Sequence, residues 1–455
     1  MDITKDPIPE LIRRIAVPAS IGIFFHTMYN VVDTFFAGKI STDAIAALSL
    51  SFPIFFMIIA MASGLSQGST ALIANALGEQ DAARAQTFSL QSISFGLILS
   101  ILLSLGGLLA APSMFRQLGA TEEYLAISMS YMSIVLCGAV FFVSQGVLNA
   151  SLNAQGDTNT FRNLLIIGFL LNCILDPWFL FGGLGIPAMG IGGIALATVL
   201  IQVVGCLYLI HRLKKTQLWN DLDLSRMKPD MGYFKDIAVQ GIPAGLNMMT
   251  VAIGIFVITW FAAKFSKEGV AAYGIATRIE QIALMPSIGL NIAVITITGQ
   301  NNGARLYDRI STTWKTTIRY GLILMVMGGV FIFQFAGVLM NFFTDDAAVI
   351  RIGGDYLKIA AITLPSYIIL FQTVYMLQGL KRPMYALGIG LYRQIVAPCA
   401  VFYFLAFRLD WKLDGIWWGV FLVTWSAAII TLLYGMRVLG GLVPSEEVGV
   451  EKGLK

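Results

Sequence analysis

The chain has 455 residues, of which 57% are hydrophobic and 12% charged, with a formal net charge of +4. A soluble domain carries about a quarter charged residues. That deficit, a mean hydropathy of +0.77 and repeated apolar runs of about 20 residues exclude a soluble protein and give an all-α, polytopic membrane protein.

Met1 to Pro9 is polar and the run after it is of full spanning length, so no cleavable signal is expected. Polar breaks then divide the chain into twelve spans, near 12–36, 46–72, 87–111, 124–149, 161–182 and 189–211, then 238–262, 270–298, 314–340, 354–378, 383–406 and 413–437. The division is an N-terminal bundle at 1–211, a linker loop at 212–236, a C-terminal bundle at 237–437 and a solvated tail at 438–455. Cys137, Cys173, Cys206 and Cys399 all fall inside spans and read as small packing residues. With two histidines and no CxxC or HExxH spacing, neither a metal nor a cofactor is expected.

Charge sets the orientation. If the termini and every second loop share one side, that side holds 20 of the 30 Lys and Arg. Six of these lie in the central loop: Arg212, Lys214, Lys215, Arg226, Lys228 and Lys235. The positive-inside rule then places both termini and the central loop in the cytoplasm, the chain crossing the inner (plasma) membrane. The basic excess sits where topology demands it and needs no nucleic-acid partner.

The chain also repeats itself. At a shift of 225 positions Pro18-Ala19 falls on Pro243-Ala244, Lys39 on Lys264, Gly64-Leu65 on Gly289-Leu290, and Gly96-Leu97-Ile98-Leu99 on an identical Gly321-Leu322-Ile323-Leu324. Tyr131 falls on Tyr356. Prolines, glycines and loop lysines do not align without a gap by chance, so two six-helix bundles follow one another. Six is even, so the repeats are parallel, and a cleft between two such bundles is the architecture of an alternating-access carrier.

Residues found in one half alone are the better candidates for a function. Asp33 falls on Ile258. Asn172 and Asp176, four apart on one helix face, fall on Ile395 and Cys399 if Gln155-Gly156 is paired with Gln378-Gly379, or on Ala397 and Val401 at a constant 225. Either way, only the N-terminal half keeps acids deep in the membrane. A charged Asp at mid-bilayer costs on the order of 3 kcal/mol or more. Asp33 and Asp176 sharing a polar cavity with Asn172, and with Thr198 or Asn30 in reach, would lower that cost. Such a pair can relay protons, and the same oxygens could coordinate Na⁺.

Tyr29 lies four residues before Asp33 and His26 seven before it, while Gln145 and Asn149 are four apart in the fourth span. All four are candidate lining of a substrate cavity. Pro18 deprives the Arg14 carbonyl of its helical partner, which makes it a candidate hinge. Its recurrence as Pro243 argues equally for a part in shaping the fold. Arg278, Glu280 and Arg393 are charges inside the second half and read as pairing with other helices, with gating as the alternative.

These residues resemble the multidrug and toxic compound extrusion (MATE) family. The resemblance rests on the two parallel six-helix halves, Pro18 with Asp33 in the first helix, and GLSQGSTALIANALGEQD at Gly64–Asp81. NAQGDTNT at Asn153–Thr160 and NCILDP at Asn172–Pro177 complete it. It implies export of organic cations and related drugs driven by H⁺ or Na⁺. Within the family the chain looks like the DNA-damage-inducible (DinF-like) branch. That likeness implies coupling at Asp33, Asn172 and Asp176 and bending of the first helix at Pro18. The expected partners are therefore small organic cations, H⁺ or Na⁺ and the lipid bilayer, acting on a monomer. A lipid-linked precursor flippase of the same superfamily is the alternative. A major-facilitator carrier is disfavoured because the loop after the second span reads GEQDAARAQ. An enzyme is disfavoured because no nucleophile–base or metal-ligand set occurs.

Overall fold

A segment in lipid satisfies its backbone internally, and for apolar runs of this length that means helices. The computed structural model describes residues 1–40, 42–117, 119–183, 185–220 and 222–442. Of the solvated tail assigned to 438–455, residues 438–440 instead continue the last helix, with Val438 and Leu439 buried, and 443–455 lie outside the described residues. The N-terminal half comprises α1 (Ile8–Ile40), α2 (Thr42–Gly78), α3 (Ala82–Gln117), α4 (Glu122–Cys137), α5 (Ala139–Ala154), α6 (Asn159–Phe181) and α7 (Ile191–Leu213). The C-terminal half comprises α8 (Met231–Ala263), α9 (Lys267–Gly303), α10 (Tyr307–Asn341), α11 (Ala347–Gly379), α12 (Met384–Leu391), α13 (Ala397–Phe402) and α14 (Lys412–Gly440). Among the described residues eleven stretches are long and apolar enough to cross a membrane, and α4 with α5, bent by 42°, makes twelve when taken as one span.

Two spans differ from the plain helices expected. The fourth breaks at Gly138, where a Cβ would collide with the Val199 side chain of α7; only glycine admits the neighbour that closely. In the eleventh, π-helical turns at Tyr392–Val396 and Tyr403–Arg408 flank α13. Such turns widen a helix locally and re-aim its side chains.

The repeat is visible in the helix boundaries. Thr42–Gly78 and Lys267–Gly303 are each 37 residues long and stand 225 positions apart. Left-handed backbone recurs at the same spacing, at Gln80 and Arg305 (both φ 60°) and at Gly156 and Lys381 (φ 80° and 59°). The register entering the sixth and twelfth helices is thus the constant one, and the pairing of Gln155-Gly156 with Gln378-Gly379 is not structural. The polar counterparts of Asn172 and Asp176 are gone in either case.

Each half has its own apolar core. One gathers Phe115, Met132 and Leu136 of the N-terminal helices, the other Tyr356, Phe402 and Trp417 of the C-terminal ones. The central connection is not free: Gln91 of α3 donates to the Arg226 and Lys228 carbonyls at 2.6 and 2.7 Å and accepts from Asp230 N at 3.1 Å.

The halves meet at the end that carries the N-terminus. There α2 lies against α8 and α9, and α1 against α9. Glycines permit the contact: a Cβ on Gly64 would strike the Gly245 backbone, and one on Gly289 would strike Ala16 and Ser20. Gly64 and Gly289 are repeat counterparts, so one close approach is built twice. Polar bonds close the same end. Asn75 donates to the Gly379 carbonyl at 2.9 Å and accepts from Asn302 at 2.6 Å, while Arg309 donates to the carbonyls of Ile3 and Asp6 at 3.1 and 2.7 Å.

Candidate functional site

The site begins with one long-range bond. Asn172 of α6 donates through Nδ2 to Asp33 Oδ1 of α1 at 2.8 Å. Asn172 and Asp176 are fully enclosed and Asp33 is 8% exposed. The spacing of four in α6 aims Asn172 and Asp176 the same way, and the Asp176 carboxyl lies beside both Asp33 and Asn172. Two acids from two helices are therefore held together in an apolar bundle. Both Asp176 oxygens, Asn172 Oδ1 and the Tyr29 hydroxyl have no hydrogen-bond partner among the described residues. Buried polar atoms in native proteins are nearly always paired, so this cluster has capacity for a proton or a cation.

The surroundings sort the other candidates. Tyr29, one turn before Asp33, is buried at the edge of the cluster. Thr198 of α7 sits beside Tyr29, its hydroxyl donating to its own helix at Ile194 (3.0 Å). Asn30 is not brought in: it is exposed, and its amide donates back to the His26 carbonyl at 2.9 Å. An i−4 back-bond of this kind satisfies the donor locally and leaves no reason to turn inward. His26, Tyr29 and Gln145 line one small cavity of about 30 Å³, roughly the share of a single water. Asn149, one turn along α5, is buried outside that lining. Pro18 is buried inside α1, two residues before Ser20, which donates to the Pro286 carbonyl of α9 at 3.4 Å. The candidate hinge therefore stands at the seam between the halves.

Two residues escaped the sequence reading. Tyr131 of α4 is buried within electrostatic reach of the acid pair and Tyr29; its match with Tyr356 in the repeat was the available signal. Gln202, four after Thr198 and so on the same face of α7, lines the His26 cavity. Two charges of the second half meet aromatic residues of another helix rather than each other, and the third faces outward. Glu280 accepts from the Tyr356 hydroxyl at 2.8 Å, Arg393 lies over the Tyr367 ring, and Arg278 is exposed. All four cysteines are free thiols. Among the described residues no group of three or more His, Cys, Asp or Glu could hold a metal ion.

Comparison with known proteins places this geometry in context. The family model described as MatE matches twice, over residues 18–178 and 243–398. The probable multidrug resistance protein YoeA of Bacillus subtilis is 26% identical over 92% of this chain and 91% of its own. The FAD transporter of Shewanella oneidensis is 28% identical over 86% of each. A solved outward-facing conformation of a multidrug resistance MATE transporter superposes with a TM-score of 0.90 at 28% identity, covering 97% of both chains.

Proposed function

The chain belongs to the MatE family of membrane transporters, and on that footing we propose that it exports amphipathic, often cationic organic compounds in exchange for H⁺. The observation that carries this reading is the buried Asp33–Asn172–Asp176 cluster in one half, with apolar counterparts in the other. Two adjacent buried carboxyls are satisfied by sharing a proton, and losing it leaves repelling charges in a medium that penalises both. Proton uptake from outside would tighten α1 against α6, displace substrate from the cleft and so drive release. Pro18, beside the α1–α9 seam, would let α1 bend as the cluster changes charge. The termini and the closed seam would face the cytoplasm, the cleft opening outward, in a protein that works as a monomer. Relatives named for multidrug resistance and for FAD support export of varied organic molecules.

Na⁺ is the second reading, favoured by the oxygens of Asp33, Asp176 and Asn172 standing close together. The test uses liposomes containing the purified protein and a fluorescent cation, with a pH gradient imposed without Na⁺ and then the reverse. Transport that follows the pH gradient and is lost in Asp33→Asn and Asp176→Asn supports the proposal. A strict Na⁺ requirement with both acids still essential keeps the site and changes the ion. Unimpaired transport in both variants removes the cluster from the mechanism.

A further inference from the structure

The C-terminal half holds a second built cavity that the coupling cluster does not use. Its volume is about 160 Å³, and its walls include Glu280, Arg393, Tyr273, Tyr356 and Tyr367. Glu280 sits in the middle of α9, 7% exposed. One of its oxygens holds the Tyr356 hydroxyl. Arg393 comes from the π-helical turn Tyr392–Val396, and its guanidinium stands 5.4 Å from the centre of the Tyr367 ring. An extra residue per turn is the usual device for re-aiming a side chain at a functional position, and here it brings an arginine to the cavity wall.

The two charges do not neutralise each other directly. Among the described residues neither Glu280 nor Arg393 has an ion-pair partner within 4.0 Å. A carboxylate and a guanidinium thus line the same cavity from different helices, and its volume admits several waters or a small organic group. Opposed charges deep in a bundle are costly unless something polar completes them. The aromatic wall adds to the negative end: Tyr273 lies edge to face with Tyr356, their ring centres 5.4 Å apart, and aromatic faces attract cations. A simple cation would suit Glu280 and be repelled by Arg393; a simple anion would meet the reverse. A group bearing both charges satisfies both walls.

We propose that this cavity is a second binding site, taking the zwitterionic head, an ammonium with a carboxylate, of an amphipathic compound. The ammonium lies against Glu280 and the tyrosine rings, and the carboxylate pairs with Arg393, whose planar fork suits it. The site deepens the export reading and rests on it for the ligand's route, but its binding can be measured without transport.

The experiment is calorimetric titration of the purified full-length protein with para-aminomethylbenzoate, its methyl ester and para-toluate. These present both charges, the positive one and the negative one on the same ring. The zwitterion should bind about tenfold more tightly than either single-charge probe, the usual worth of one added charge-assisted bond. Arg393→Gln should erase the preference over the ester, Arg393→Lys should retain most of it, and Glu280→Gln should erase the preference over para-toluate. If a single variant does not fold, Glu280→Gln/Arg393→Gln, which removes both charges together, should bind all three probes alike. A wild-type protein without preference, or one whose preference survives both glutamine variants, overturns the site. Preference that stands while proton-driven export fails overturns the export reading instead.

Discussion

Asp33 accepts a hydrogen bond across helices from the Asn172 amide. Replacing that amide by an apolar group of similar size, Asn172→Leu, leaves the acid unsatisfied and should destabilise the protein by about 1–3 kcal/mol. Thermal unfolding in detergent would register the loss, and proton-driven transport should fall with it. Tyr131→Phe removes only a hydroxyl within electrostatic reach of the acid pair, so the variant should unfold at the wild-type temperature yet transport more slowly. Unchanged transport in that variant would mean that Tyr131 merely packs. Asp33, Asn172 and Asp176 were legible in the sequence because a carboxylate in an apolar run stands out and a spacing of four fixes a shared helix face. Tyr131 stood out only as the repeat match of Tyr356, since a tyrosine in a span shows no role until its neighbours are known. Asn30 was misplaced for a different reason. Spacing gives the direction a side chain leaves the helix but not whether its own backbone will satisfy it first.

Span order and the 225-residue repeat were readable because hydropathy and punctuation by Gly, Pro and Lys are local properties. Exact boundaries were not, since α2 and α8 continue as helix into polar residues that hydropathy assigns to loops. The bend between α4 and α5 and the π-helical turns around α13 were not, because both answer to neighbours. Gly138 breaks its span where Val199 of α7 leaves no room for a Cβ. Gly138→Ala should therefore cost about 1–3 kcal/mol through overpacking, seen as a lowered unfolding temperature. Gly289 acts between the halves. There a side chain would push α1 off α9 at Ala16 and Ser20, so Gly289→Leu should loosen the seam. Maleimide labelling of a cysteine introduced at Ser20 should become faster in that variant. Equal labelling with and without the leucine would show that the α1–α9 approach does not control access.

In the whole molecule the bonds that join the halves are gathered at one end, around Asn75, Asn302, Gly379, Arg309 and the N-terminal segment. A carrier must break such a seal once per cycle, so the seal should be strong enough to hold and weak enough to open. Asn75→Ala removes two bonds between the halves and leaves the Asn302 amide and the Gly379 carbonyl to find other partners. Each 1.4 kcal/mol lost shifts the balance between closed and open forms about tenfold. Distances between spin labels at Ala82 and Asp308 should then broaden toward longer values. A distribution identical to wild type would mean that other contacts hold the closed state.

Proton movement driven by substrate tests the exchange most directly. Liposomes carrying the protein and an internal pH-sensitive dye would be given an outward gradient of an organic cation, with no Na⁺ and no initial pH difference. Coupled exchange predicts that the lumen acidifies as the cation leaves, and that Asp33→Asn and Asp176→Asn abolish the signal. A cation that leaves at the wild-type rate while the luminal pH stays constant would contradict proton exchange at this pair of acids.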